Sequence, residues 1–205
     1  NLLQWTCHTV LVYSNGMRPP MIPRSNTAGG SIPTKSTQWD SSWPELLKDP
    51  ERDHLLGFFR QRFGITRAVF SKYFLYRRRR TVWVFSKDDR LRDLASLQVK
   101  SVGMPLLRWV GTHLKPTSVG LQLFGAHADK NIVSLPTDQL RDLVESKEIK
   151  SEFNCSPGSV IVASKSVVIG CALYLPGRLI SQFPGNMFTP QTWEYALQIG
   201  KMGKP

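Results

Sequence analysis

The chain has 205 residues, 41% of them hydrophobic, enough to bury a core in one substantial domain or two small ones. Its 27 Lys and Arg outnumber 15 Asp and Glu for a formal charge of +12, which favours a polyanionic partner. No apolar run reaches the roughly 18 residues of a membrane span, and Cys7, Cys155 and Cys171 have neither the number nor the spacing of a disulfide framework or zinc site, so reduced thiols in the cytoplasm are expected.

Residues 1–48 read as a flexible tail, because Pro19, Pro20, Pro23, Gly29, Gly30 and Pro33 break any periodicity a helix or strand requires. Within it, Leu2 to Tyr13 is interrupted by Gln4, Thr6, His8 and Thr9 and no basic segment precedes it, so no signal peptide is expected. Trp39 and Trp43 are expected to pack against the body. Order is expected from Asp49, an N-cap with Pro50 at the first helical position. Leu55, Leu56, Phe59 and Phe63 line one face of that helix, and Gly64 ends it. Thr66 opens a short helix through Phe70. The β-branched and aromatic stretches Tyr73 to Tyr76 and Thr81 to Phe85 then predict a hairpin whose turn carries Arg77, Arg78, Arg79 and Arg80.

Further on, Asp88 to Leu94 reads as a helical turn, and Leu97 to Val102 and Leu106 to Val110 as short strands. Thr117 caps a helix through Phe124, Ile132 to Leu135 is a strand, and Thr137 opens a helix through Val144. The pattern turns to β from Gly158: Ser159 to Ala163, a tight turn at Ser164 to Ser166, then Val167 to Leu175, with Gly170 where another backbone can approach. Gly177 and Gly185 mark turns, and Thr189 with Pro190 opens a last helix through Gln198.

Charge is concentrated as well as abundant. His54 to Lys87 contains nine Lys or Arg and no Asp or Glu. Within it, Arg77 to Arg80 are bracketed by Lys72, Tyr73, Tyr76 and Trp83, which combines phosphate-binding guanidinium groups with rings able to take unstacked bases. Rings filling a core and arginines merely aiding solubility make up the competing account. Lys115, Lys130 and Arg178 form a sparser second set of candidate RNA contacts; taken residue by residue, ordinary surface charge is the stronger account of them.

Catalytic signatures are missing: the sequence has no GxGxxG, GxxxxGK[ST], GxSxG or HExxH. His8, His54, His113 and His127 are scattered, without metal-ligand spacing to a Cys or another His. Neither a metal, a cofactor nor a catalytic residue is expected, and Cys171, between Gly170 and Ala172, reads as a small buried hydrophobe.

The stretch Lys115-Pro-Thr-Ser-Val-Gly-Leu-Gln-Leu-Phe-Gly-Ala-His-Ala-Asp-Lys-Asn131, with Val133 to Leu135, Gln139-Leu140 and Gly158 to Pro184, resembles the C-terminal module of archaeal relatives of Sun/Fmu-type RNA cytosine-5 methyltransferases. Val168-Ile-Gly-Cys-Ala-Leu-Tyr174, followed by Gly177 and Ser181-Gln-Phe-Pro184, resembles the last hairpin of a PUA-like RNA-binding domain. The resemblance implies a pseudo-barrel that grips RNA for a separate catalytic domain or subunit. It departs from the family in lacking an S-adenosylmethionine-binding unit and a Pro-Cys or Thr-Cys-Ser loop, for which Thr6-Cys7-His8 is no substitute.

The expected architecture is therefore α+β: a helix-and-hairpin unit at 49–110, then a PUA-like β pseudo-barrel with flanking helices at 111–205. Binding of rRNA or tRNA within an RNA-modifying or ribosome-associated assembly is the expected function. A structural subunit of a ribonucleoprotein and an enzyme of unrecognised type are the alternatives.

Overall fold

A computed structural model describes residues 45–87, 103–185 and 187–188. Several expectations lie outside these residues: the tail up to residue 44 with Trp39 and Trp43, the turn at 88–94, the strand at 97–102 and the helix beginning at 189.

The apolar spacing of Leu55, Leu56, Phe59 and Phe63 produces the helix α1, Asp49–Phe63, with all four side chains buried. Lys48 rather than Asp49 takes the N-cap position. Asp49 and Glu51 instead place negative charge in the first turn, and Arg60 and Arg62 place positive charge in the last, both complementing the helix dipole. Gly64 ends the helix in the left-handed region at φ 75°, where a Cβ would collide with the Asp129 carboxylate. A single 3-10 turn, Arg67–Phe70, follows.

The first sheet is an antiparallel meander of β1 (Glu45–Leu46), β2 (Tyr73–Arg78), β3 (Thr81–Ser86), β4 (Met104–Val110) and β5 (His113–Pro116), in that spatial order. It begins before Asp49 and ends after Val110. Glu45 and Leu46 pair with Arg77 and Tyr76 and Leu47 is buried, so order starts ahead of the helix. At the other end, Leu114 and Lys115 pair with Trp109 and Arg108, which carries the unit past the expected limit of 110.

Helix α2, Ser118–Phe124, begins where Thr117 accepts a hydrogen bond from the Gly120 N–H at 2.9 Å, as its sequence predicts. The rest of the chain builds β6 (Ile132–Ser134), α3 (Thr137–Ser146), β7 (Glu148–Ile149), β8 (Gly158–Ser164), β9 (Val167–Leu175) and β10 (Arg178–Ser181). The five strands form a second sheet in the order β6-β8-β9-β10-β7, antiparallel except for the β6–β8 pair. The fold is α+β with two mostly antiparallel sheets, and among the described residues neither sheet closes into a barrel.

Two clusters fill the interior. The larger joins Phe59, Phe63 and Phe70, Leu75, Val82 and Leu107 of the first sheet, Leu121 and Phe124 of α2, and Ile161 and Cys171 of the second sheet. Phe70 and Phe124 meet at a centroid distance of 4.6 Å. The smaller packs Leu140 and Leu143 of α3 against Val160, Val162, Ala172, Tyr174 and Leu179. Since β8 and β9 contribute alternate residues to the two clusters, the second sheet is covered on both faces. Each buried Leu or Phe here is worth about 1.5–3 kcal/mol of transfer free energy.

A polar latch ties α1 to the second sheet. Arg62 of α1 donates from Nε to the Ser159 carbonyl at 2.6 Å and from Nη2 to the Ser156 carbonyl at 2.7 Å. Asn131 answers by donating to the Arg62 carbonyl at 2.6 Å and accepting from the Ser156 N–H at 2.8 Å. Burial holds the Arg62 pKa below its ordinary value.

Candidate nucleic-acid interface

Strand alternation sorts the basic cluster onto two faces. Tyr73, Leu75 and Arg77 alternate with Phe74, Tyr76 and Arg78, and the register pairs the first set with Ser86, Val84 and Val82 and the second with Phe85, Trp83 and Thr81. Leu75, Val82, Val84, Leu107, Trp109 and Leu114 join the core with α1, so theirs is the inner face. Phe74, Tyr76, Arg78, Thr81, Trp83, Arg108, Val110, His113 and Lys115 therefore belong to the outer face.

On that outer face one cross-strand row is charged. Arg78 is paired with Thr81, Thr81 with Arg108, and Arg108 with Lys115, across β2, β3, β4 and β5. Between Arg78 and Thr81 the chain turns through Arg79, at φ 53°, and Arg80, both exposed. The β4–β5 turn at Gly111 and Thr112 lies at the same end of the sheet, so five cations gather there. None of the five is paired with a carboxylate among the described residues, and no acidic residue occupies an outer-face position of the paired strands. Like charges directly opposite on a sheet cost stability, so an anion bridging Arg108 and Lys115 relieves a penalty.

Arg77 behaves differently from its neighbour. It extends from the inner face to Glu51 of α1 at 2.9 Å and to Glu45 of β1 at 2.7 Å, and these bonds raise its pKa, the Glu45 hydrogen bond most of all. The expected four-arginine turn is thus a two-residue turn. Arg77 sits in the strand as an internal ion-pair partner.

The remaining sequence candidates separate by position. Tyr76 is buried, and burial raises its hydroxyl pKa to about 12. Tyr73 packs edge-on against Phe124 at 5.1 Å, inside the core. Neither ring is presented for stacking; Trp83, on the central strand and partly exposed, is. Lys72 lies at the opposite end of the hairpin, where its carbonyl accepts from the Lys87 N–H. Lys130 stands beside the end of α1, its N–H donating to the Phe63 carbonyl. Arg178 makes a bidentate pair with Glu148 at 2.9 Å at the β10–β7 edge of the second sheet, which lowers the Glu148 pKa.

Gly170 does allow a close approach, but by the protein itself: a Cβ there would stand 2.7 Å from Ser118 Oγ, which accepts a hydrogen bond from the Cys171 N–H at 3.1 Å. The position is used to seat α2. Arg108 is the cation of this row that sequence reading missed. Its signal was present, since Leu107 and Trp109 alternate with Arg108 and Val110, but its partners Thr81 and Lys115 are set by pairing across the sheet.

No three His, Cys, Asp or Glu side chains converge as a metal site among the described residues. None of their helices is long and apolar enough to cross a membrane. No protein-family model matches the chain, and no curated protein matches it.

Proposed function

We propose that this protein is an RNA-binding module that holds rRNA or tRNA for an RNA-modifying or ribosome-associated assembly, with the outer face of its first sheet as the phosphate-binding surface. The observation that carries the reading is the row Arg78, Thr81, Arg108 and Lys115, extended at the turn by Arg79 and Arg80, without a neutralising carboxylate among the described residues. Arginine guanidinium groups make charge-assisted, bidentate contacts with phosphate, and a row on a rigid sheet holds them in place before the ligand arrives.

The preference for RNA over DNA rests on the sequence resemblance to PUA-like modules. The resembling stretches become α2, β6, β8, β9 and β10, tied by the Arg62 latch to α1. In this reading the second sheet with α2 and α3 is the PUA-like part, and chemistry comes from a separate catalytic domain or subunit. Phosphate contacts supply affinity and placement, without base choice.

Fluorescence anisotropy with structured RNA, single-stranded RNA and duplex DNA over a salt series tests the proposal. Each phosphate neutralised on a single strand contributes about −0.7 to the slope of log K against log salt. Replacing Arg78, Arg108 and Lys115 together by Gln should make the slope shallower by about two and weaken binding at low salt. An unchanged slope and affinity in that variant, or tighter binding to duplex DNA than to any RNA, would overturn it.

A further inference from the structure

Trp83 gives this face a feature that phosphate binding does not require. It lies on β3, the central strand of five, between Tyr76 and Pro105 in the cross-strand row next to the cations. Tyr73, Phe74 and Tyr76 are engaged by Phe124, by Lys87 at 5.6 Å, or by burial. Trp83 has no ring partner among the described residues and keeps part of its surface open.

We infer that this face takes a single-stranded segment of RNA, laid across the strands from β2 to β5, with one unstacked base resting on Trp83 and its flanking phosphates on Arg78, Arg108 and Lys115. The inference rests on the RNA-binding reading and adds the form of the ligand. Strands are spaced about 4.8 Å apart, so the five-stranded face is roughly 19 Å wide and its central residue stands about 10 Å from either edge strand. A face of that width does not enter a major groove about 12 Å across, and the A-form RNA major groove is narrower still. A duplex resting on this face offers phosphates to the cations but no base to Trp83. An unpaired strand offers both at once, because its bases splay from the backbone onto an aromatic platform while phosphates remain at the cationic row. That row covers three strand spacings, about 14 Å, so it holds a short run of nucleotides.

The test uses the full chain and a short single-stranded RNA carrying 2-aminopurine, alongside the same RNA annealed to its complement. Stacking on Trp83 should quench the 2-aminopurine emission, and the single strand should bind more tightly than the duplex. Trp83→Ala should abolish the quenching and weaken single-strand binding about tenfold, Trp83→Phe should restore most of both, and unchanged thermal unfolding of the Phe variant keeps the comparison on folded protein. Equal affinity for single strand and duplex, with Trp83→Ala binding like the parent, overturns the single-strand inference while leaving RNA binding standing if Arg108→Gln still weakens both. Absence of binding to either RNA at low salt overturns the inference and the RNA-binding reading beneath it.

Discussion

The two sheets have the same number of strands and opposite relations to their surroundings. Both faces of the second are occupied, Ile161 and Cys171 lying in the larger cluster and Val160, Val162, Ala172 and Tyr174 in the smaller. Its surface ion pair, Arg178 with Glu148, is closed on itself. The first sheet turns one face to the larger cluster, and the turn end of its other face carries Arg78, Arg79, Arg80, Arg108 and Lys115, none paired with a carboxylate among the described residues. Arg77 and Arg78, adjacent in sequence, fall on either side of this divide: one is joined to Glu45 and Glu51, the other has no carboxylate partner among the described residues. Charges that serve the fold find acidic partners within it, and charges left together on a rigid face point to a partner outside.

If the inner layer alone carries stability, damage there should dominate every other effect. Phe59→Ala removes a fully buried ring between the two sheets and should cost about 3–5 kcal/mol in denaturant unfolding. A cost below about 1 kcal/mol would break the division between a structural and a functional face.

Alkali sharpens the same contrast from the second sheet. Burial pushes the Cys171 thiol up to about 12 from an ordinary value of 9.0, against a smaller opposing pull from Lys115. The unfolded chain releases that proton first, so the thiol's contribution to stability is complete below about pH 9. It is lost by about 1.4 kcal/mol per unit as pH rises toward 12. Unfolding free energies measured between about pH 8.5 and 11 should fall less steeply in Cys171→Ala than in the parent. Parallel slopes would mean that the thiol is not sheltered.

The latch between α1 and the second sheet should matter less than the core and more than the surface. Arg62→Ala strands the Ser156 and Ser159 carbonyls and should cost about 2–3 kcal/mol, read as a lower midpoint in urea. Smallest of all, Arg108→Gln relieves repulsion opposite Lys115 and should leave stability unchanged or raise it by up to about 1 kcal/mol. A clear loss would show that Arg108 has a structural partner.

Much of the fold was legible because its signals are local. Pro50 and Gly64 bracket α1, Thr117 caps α2, and the run Val167 to Leu175 is one strand from end to end. β1, β5 and β7 were missed, and β10 was reached only as the second arm of the hairpin that the PUA-like resemblance implies. They are two to four residues long and are made strands by their neighbours rather than by their own composition. The candidate site was legible in part. Nine positive charges between His54 and Lys87 pointed to the hairpin, but only alternation through a known register separates Arg77 from Arg78 or buries Tyr76 and exposes Trp83. A bulge between Val82 and Trp83 offsets β4 and brings Arg108 opposite Thr81, a pairing that no local pattern encodes.

Those two adjacent arginines provide the most direct test. Arg77→Gln and Arg78→Gln remove the same charge one residue apart, and single-stranded RNA affinity over a salt series compares them under identical conditions. The account predicts that Arg78→Gln weakens binding and makes the log–log salt slope shallower by about 0.7, while Arg77→Gln keeps the parent slope and loses only a fraction of a kcal/mol of folding stability, up to about 1. Equal losses of RNA affinity in the two variants would mean that bulk charge, not the outer face of the first sheet, holds the RNA.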